Sequence, residues 1–393
     1  MDAERIKALA VLGYNFNLHL FRSVLPREKK DQMEKFLGFF REDRISALTP
    51  DEYREIVNFE RCVVCGLCPA HCRPMEEAPG RFLGPMHLAA SSSRSHPEFV
   101  HDLDSLTLCA ACGQCEPICP ETVPVAAIAP AMRAMLWRVA AETLPPPYRQ
   151  AAANLRAHGN IYGQPAATTL PSKDGAEAAL VLGPRLRLLP DLSARLAETL
   201  ARLGYDLTAA PEGSIGGVAQ SLGLVPDTAW VDALGRSAVG AVIVADPEEW
   251  PALRADPRLA GKTVSSALSA VAEKWPAGMT FPNIAAPAAV HGRNPGQVGQ
   301  ARELLQQGGL ATVELDRPGA GIPPVGWEGG IELVDPELAS RLARRRLADA
   351  RSAGAKTLVF LSADDAALLG QEGMEGVEPI FFFDLVHQAL SRR

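Results

Sequence analysis

Several features that would assign a function directly are missing from this chain of 393 residues. No run of about 18 apolar residues occurs, so we expect no transmembrane helix. The net charge is −7, and no basic face stands out, which argues against a nucleic-acid partner. Without a secretory or twin-arginine signal we expect a cytoplasmic protein, and peripheral association with the inner face of the membrane stays open. A dinucleotide fingerprint, a P-loop and a nucleophile elbow are also lacking, so no catalytic residue is assigned.

Cysteine is absent outside two short runs. The first run is CVVCGLCPAHC and the second is CAACGQCEPIC. Each has the spacing C-x2-C-x2-C-x3-C, which lets one loop wrap three thiolates around an iron-sulfur cube while the fourth points to a neighbouring cube. The runs predict two [4Fe-4S] clusters. The cofactor-binding and metal-ligating residues are then Cys62, Cys65, Cys68, Cys72, Cys109, Cys112, Cys115 and Cys119.

The order of the cysteines leaves their grouping conditional. If the fourth cysteines cross over, Cys119 joins the first triplet and Cys72 joins the second. Disulfides are disfavoured because three cysteines so close in sequence cannot all pair without strain. Zinc needs only four ligands, usually from two separated pairs, and would leave the triplets unexplained. We interpret His71 as a hydrogen-bonding neighbour of a cluster rather than a ligand.

Three helices are predicted before the first cysteine. The first has a broad apolar face over Ile6–Phe21, and the second runs over about Glu28–Arg41. The third begins at Thr49, where Glu52 completes a capping box. The first two helices either pack on the domain that follows or dock to a partner subunit or a membrane surface.

The second half of the chain has a different pattern. Residues 145–171 are rich in proline, alanine and glycine and are predicted to be a linker. Beyond them short apolar runs alternate with helical patterns, which predicts a mostly parallel sheet. The order of elements returns about 110 residues later, which predicts two related lobes. The predicted strands are Ala178–Leu182, Tyr205–Thr208, Ala241–Ala245, Ala286–Val290, Leu310–Leu315, Thr357–Leu361 and Ile380–Phe383.

The predicted fold class is multidomain α and α/β. An N-terminal α-helical di-cluster ferredoxin domain is followed by two related α/β lobes. The predicted boundaries are 1–46 for a helical extension, 47–144 for the ferredoxin domain, 145–175 for a linker, and 176–280 and 281–393 for the lobes.

In its cysteine runs the chain resembles a family of iron-sulfur proteins. That family includes heterodisulfide reductase and the iron-sulfur subunits of glycolate oxidase, of the lactate-utilisation system and of anaerobic glycerol-3-phosphate dehydrogenase. Its members join a di-cluster α-helical ferredoxin domain to two cysteine-rich repeats. Here the repeat positions have no cysteine, as at His291–Arg293, Pro324–Gly330, Ser362–Asp365, Gly213–Gly217 and Asp246–Glu248.

The missing thiolates limit what the lobes can do. They cannot hold the family's additional cluster. The glycines beside His291 and Arg293 could cradle an anion or could serve only as tight turns, and both interpretations stay open.

The resemblance implies an electron-transfer subunit of an oxidoreductase complex, itself non-catalytic. Two [4Fe-4S] clusters would relay electrons between a flavin or iron-sulfur partner subunit and a further acceptor, such as a quinone-linked or disulfide-linked subunit. Two alternatives stay open. One is a catalytic subunit that binds flavin, quinone or a small organic acid in its lobes, and the other is a non-enzymatic redox-sensing or assembly protein.

Overall fold

The computed structural model describes residues 3–24, 35, 38, 48–94, 101–165, 170–211, 213–282, 284–315, 322–372 and 376–392. The chain forms two compact units, Met1–Leu48 and Thr49–Arg393. In the first unit, helix α1 (Ala3–Val24) forms as predicted. The second predicted helix, Glu28–Arg41, lies outside the described residues apart from Lys35 and Gly38. Of the helices described, none is long and apolar enough to span a membrane.

Helices account for the first part of the second unit. The predicted capping box is confirmed: Thr49 Oγ1 accepts from the Glu52 amide, and the Glu52 carboxylate accepts from the Thr49 amide. This arrangement satisfies donors at the start of the helix that leads into the first cysteine run. The helices are α2 (Pro50–Phe59), α3 (Arg73–Glu77), α4 (Pro85–Arg94), α5 (Leu103–Leu108), α6 (Val125–Val139) and α7 (Pro146–His158).

Helix α7 corrects the linker predicted for residues 145–171. Prolines that look like breakers in sequence occupy its N-terminal cap and first turn, where proline is tolerated because the amide has no helical partner. Tyr148, Ala151 and Ala152 form a buried face. Residues 146–158 are therefore part of the packed structure rather than a connector.

In the described residues that follow, the strands form two parallel sheets of four strands each. The strand orders are β2-β1-β3-β4 and β6-β5-β7-β8, so the second sheet repeats the order of the first. The predicted mixture of helices and parallel sheets is confirmed. The strands are β1 (Ala178–Val181), β2 (Leu207–Ala209), β3 (Ala241–Val244), β4 (Thr263–Ser266), β5 (Ala288–His291), β6 (Thr312–Val313), β7 (Thr357–Phe360) and β8 (Glu378–Phe381).

Helices connect the strands and cover the sheets. The central strands β1, β5 and β7 are buried along their whole length, as expected for a sheet covered on both faces. The helices are α8 (Pro190–Arg202), α9 (Val218–Ser221), α10 (Ala229–Arg236), α11 (Trp250–Ala255), α12 (Ala267–Glu273), α13 (Pro295–Gln307), α14 (Ile331–Val334), α15 (Pro336–Ser352), α16 (Ala363–Leu369) and α17 (Phe382–Ser391).

The strand order fixes where a ligand could bind. In an open parallel sheet, ligands bind beyond the carboxyl ends of the strands, where the order reverses. The reversal lies between β1 and β3 in the first sheet and between β5 and β7 in the second. The loops that leave these strands carry the charged residues Arg185, Asp246, Arg293 and Asp364.

The helical region is bound tightly to both lobes. The Tyr148 hydroxyl donates to the Gly329 carbonyl at 2.7 Å, and the Trp137 indole donates to the Leu222 carbonyl at 2.9 Å. Gly329 has φ +65°, and a Cβ added there would lie 2.3 Å from the carbonyl oxygen of Cys109. The loop of the second lobe therefore lies directly against the second cysteine run.

We expect Gly329→Ala to destabilise the protein by about 3 kcal/mol or more, because it adds a backbone clash to the strain of a left-handed residue. The matched control is Gly354→Ala, which has φ +82° but no neighbour within 4 Å of the added Cβ. Strain alone is expected to cost the control about 1 to 2 kcal/mol. Urea denaturation followed by circular dichroism compares the two, and equal losses would show that the close approach to Cys109 is unimportant.

Candidate iron-sulfur site

Both cysteine runs fold into the same turn. Val64 and Gly66 in the first run have φ +56° and +81°, and Ala111 and Gly113 at the matching places in the second have φ +50° and +79°. A left-handed valine is strained, because its branched Cβ crowds the backbone, and such outliers concentrate at functional sites. The shared geometry shows that each triplet of cysteines is wrapped by the loop in the same way.

The folded chain brings the thiols into two groups. Burial, together with the neighbouring Cys62, Cys65 and Cys119, raises the pKa of Cys68 to about 11. Burial also raises the pKa of Cys115, with Cys109, Cys112 and Cys72 as the next contributors. Cys119 therefore lies with the first triplet and Cys72 with the second, which is the crossed grouping.

The residues present fit a cluster. A cavity of about 380 Å³ is lined by Cys62, Cys65, Cys68 and Cys119. The Val123 amide donates to Cys119 Sγ at 3.4 Å, and the backbone amides of Met75, Ala111 and Gln114 bond the thiols of Cys72, Cys109 and Cys112. Amide donors of this kind stabilise negative charge on cluster sulfurs.

A single metal ion fits less well. Among the described residues, no three side chains of His, Cys, Asp or Glu are placed to hold one ion. The four thiolates of a zinc site converge at about 2.3 Å from the metal, whereas those around a cube are held apart by the irons and sulfides between them.

The two thiol groups differ in exposure. Cys65 is exposed, and Val63 and Leu67 beside it are 58% and 49% exposed. Cys109 is buried, and the lobe loop containing Gly329 lies against it. The first group thus faces outward, while the second is enclosed between the helices and the lobes.

A buried arginine lies beside the second group. Arg133 is fully buried, and its guanidinium donates to the carbonyls of Leu106, Cys109 and Ser221. Within the described residues, no carboxylate lies within 4 Å of it. Its charge lowers the pKa of Cys109 against the larger effect of burial, which raises that pKa. A cluster with net negative charge would supply the missing counter-charge.

A second arginine links the cysteines to the lobes. Arg293 pairs with Glu328 at 3.3 Å, and its charge lowers the pKa of Cys112 against the larger effect of burial. The same guanidinium acts on Glu248, whose pKa burial raises to about 7. Arg293 therefore stands between the thiols and a set of buried carboxylates.

The buried carboxylates are a feature that the sequence did not reveal as a site. They lie in the segments that follow β3, β6 and β7. Arg185 bonds Asp364 at 2.8 Å and Glu332 at 2.5 Å, and His291 accepts from Arg346 at 3.0 Å. The set comprises Asp246, Glu248, Glu249, Glu328, Glu332, Asp364 and Asp365, with Arg185, Arg187, Arg293 and Arg346 among them. Arg293 faces Glu328, and His291 lies 3.5 Å from Asp365. These two side chains therefore contact carboxylates of the protein itself, which disfavours the anion site considered for them.

Burial raises the pKa values of the acids in the loop after β3. It raises the pKa of Glu249 to about 7, although the Ser214 hydroxyl and the Arg187 charge oppose the shift. Burial, with the charges of Glu249, Asp364 and Glu248, raises the pKa of Asp246 well above its ordinary value. The folded protein therefore binds protons near neutral pH that the unfolded chain has already lost.

Comparisons with known proteins agree with the cysteine geometry. Residues 58–123 match the family model described as a 4Fe-4S dicluster domain. A structure titled as a hypothetical protein from Helicobacter pylori is similar in fold, with TM-score 0.52 and 10% identity over 93% of this chain and 77% of that one. No curated protein matches the chain. The domain match supports iron-sulfur clusters as the cofactor and electron transfer as their use.

We expect Arg293→Gln to make the midpoint potential of the enclosed cluster more negative, because a positive charge that stabilises the reduced cluster is lost. About 60 mV corresponds to a tenfold change for a one-electron couple, and we expect a shift of that order. The control is Arg185→Gln. The two side chains are similarly exposed, 14% for Arg185 and 16% for Arg293, but Arg185 pairs with the carboxylates of Asp364 and Glu332 rather than lying between a carboxylate and a thiol. Redox titration monitored by electron paramagnetic resonance measures the midpoint potential of each variant. Equal potentials in the two variants would contradict the stated effect of the Arg293 charge on the enclosed cluster.

The melting temperature is expected to fall between pH 6 and pH 8. Because the pKa of Glu249 is about 7 in the folded state and lower when unfolded, the folded state binds more protons in this window and loses stability as pH rises. Glu249→Gln is expected to reduce that dependence by on the order of 1 kcal/mol per pH unit, whereas the exposed Glu378→Gln should not. Circular dichroism melts of cluster-loaded protein test this, and an unchanged slope in Glu249→Gln would refute it.

Proposed function

We propose that the chain is an electron-transfer subunit of an oxidoreductase complex that carries two [4Fe-4S] clusters. The observation that carries this proposal is the crossed grouping of the thiols, which places two four-cysteine sites side by side. Cys68 of one group acts electrostatically on Cys72 of the other. Two clusters so close would pass electrons between them, and the protein's part is to fix their spacing, their amide donors and their burial.

The exposed thiol group is the place where a partner subunit would dock. Val63, Val64 and Leu67 are 58%, 42% and 49% exposed around Cys65, which makes an apolar collar around the first cluster. A flavin or iron-sulfur subunit that covers this collar would bring its own redox centre close to the first cluster. The enclosed cluster would then deliver the electrons toward the lobes and a further acceptor, such as a quinone-linked or disulfide-linked subunit.

The family placement is also part of the proposal. Two lobes with one repeated strand order, attached to a di-cluster domain, support a relationship to the heterodisulfide reductase and glycolate oxidase iron-sulfur subunits. The loops that carry cysteines in that family carry buried charges here. We interpret this chain as a member in which the lobes exchanged a metal site for an ionic network.

A second candidate function is ligand binding by the lobes. It is favoured by a pocket where the loops after β1, β3 and β7 meet, the position expected for ligands in open parallel sheets. Its lining includes Asp246, Glu248, Glu249 and Asp364. This acidity disfavours a small organic acid as the ligand, since like charges repel.

Anaerobically reconstituted protein is expected to bind about eight irons per chain. Double variants then test the grouping. Cys62→Ala with Cys119→Ala removes two ligands from one cluster and should leave about four irons, whereas Cys62→Ala with Cys72→Ala should damage both clusters and leave few. Iron analysis and electron paramagnetic resonance measure the outcome. Four irons in the second double variant and few in the first would replace the crossed grouping by a local one, and an unsubstituted chain with no iron would refute the proposed function.

A further inference from the structure

The cavity between the lobes has two unlike sides. Leu155, Ile161 and Val218 give it an apolar wall. The opposite side is the loop after β3, with Asp246, Glu248 and Glu249. A ligand that matches both sides needs an apolar body and a polar group that donates hydrogen bonds to carboxylates.

Glu249 has an unused acceptor that lines this cavity. Its side chain is 1% exposed, and one carboxylate oxygen accepts from Ser214 Oγ at 2.5 Å. The other oxygen, Oε2, has no hydrogen-bond partner in the described part of the chain. A buried polar atom without a partner costs about 1 to 3 kcal/mol, so such atoms call for an explanation. A donor on a bound molecule would satisfy it.

The charged residues around the cavity determine which charge the donor group of a ligand carries. Arg185 is the cation in the lining, and it is committed to Asp364 and Glu332. Arg293 is likewise committed to Glu328. Glu248 adds a second buried oxygen, Oε1, that lacks a partner among the described residues. The carboxylates of the loop after β3 would repel an anion and attract a cation.

An organic cation suits the cavity better than a metal ion. No three acidic, histidine or cysteine side chains among the described residues are placed to hold one ion. An ammonium group has three donors and no acceptor, which matches a set of carboxylate oxygens. Trp327 also lines the cavity, with its indole fixed by a hydrogen bond to Asp365 at 2.8 Å, and aromatic rings attract cations.

We propose that the cavity between the lobes binds a small organic cation, a primary ammonium on a short aliphatic body. The ammonium donates to Glu249 Oε2 and Glu248 Oε1, and the aliphatic body packs on Ile161 and Val218. This inference does not depend on electron transfer, because it concerns the lobes alone. A bound cation would also place positive charge near Glu248, which interacts with Arg293, and Arg293 in turn interacts with Cys112.

The test titrates n-butylammonium into the cluster-loaded full chain at pH 8, where Glu248 and Glu249 are largely ionised. Calorimetry is run at constant ionic strength, with n-butanol and butyrate as neutral and anionic probes of the same length. We expect butylammonium to bind at least tenfold more tightly than either. Glu249→Gln should weaken the binding at least tenfold, whereas the exposed Glu378→Gln should leave it unchanged.

Several results would overturn the proposal. Butanol or butyrate binding as tightly as butylammonium would remove the role of charge, and an unchanged affinity in Glu249→Gln would remove the role of that carboxylate. A lack of butylammonium binding to the unsubstituted protein would show that the cavity is not a site for an organic cation. If Glu249→Gln fails to fold, as judged by circular dichroism, Glu248→Gln serves instead, with a loss of at least threefold expected. Since iron content is measured separately, failure here leaves the electron-transfer proposal standing.

Discussion

The buried guanidinium of Arg133 is the interaction on which the arrangement of this molecule depends. It donates to the carbonyls of Leu106 and Cys109, which flank the start of the second cysteine run, and to Ser221 in the first lobe. One side chain thus joins helix α6, the cluster loop and the lobe. Burying a guanidinium requires a large desolvation free energy, and hydrogen bonds to carbonyl groups offset only part of it. A negatively charged cluster beside Cys109 would complete the compensation and would couple the packing of the lobes to the presence of the cofactor.

The glycine-containing loop of the second lobe, around Gly329, also lies against the second cysteine run. Gly329 allows the loop to approach the Cys109 carbonyl, and the Tyr148 hydroxyl bonds the Gly329 carbonyl from helix α7. Glu328 turns its carboxylate back onto the amides of Val325 and Gly326 and also meets Arg293. Several hydrogen bonds therefore hold the loop, which lies against the buried Cys109 of the second thiol group. The first group has no such cover over Cys65, so the two sites differ in dielectric surroundings although their turns are alike.

The sequence was most informative where one local rule decides the structure. Cysteine spacing predicted the two runs, and the capping pattern at Thr49 predicted the start of a helix. It failed where packing overrides composition: prolines at the start of α7 concealed a helix held by Tyr148 and Ala151, and the polar stretch Thr263–Ser266 concealed a fourth strand that pairs with β3. The crossed thiol grouping was open in the sequence, because only the folded chain brings Cys119 to the first run.

The carboxylate network could not be found from sequence for a different reason. Its carboxylates come from three separate segments, 246–249, 328–332 and 364–365, and each one looks like an ordinary surface acid in isolation. What makes them unusual is the fold, which brings these segments together beyond the carboxyl ends of the strands, where Arg185 pairs with Glu332 and Asp364. The signal that was available is the pattern of substitution, since Asp246, Glu248 and Asp364 occupy loops where the resembled family carries cysteine.

The position of Arg293 gives the buried acids a physical connection to the cysteines. Its guanidinium acts on Cys112, Glu248 and Glu328 together, so a change of charge on any one of them alters the field at the others. Adding an electron to a cluster at Cys112 would favour protonation of Glu248, whose pKa already lies near 7. A cluster held by Cys112 would therefore have its reduction linked to proton uptake through one side chain, in a region where the dielectric is low and charges interact strongly. Arg293 is the physical link between the thiols and the charged residues of the lobes.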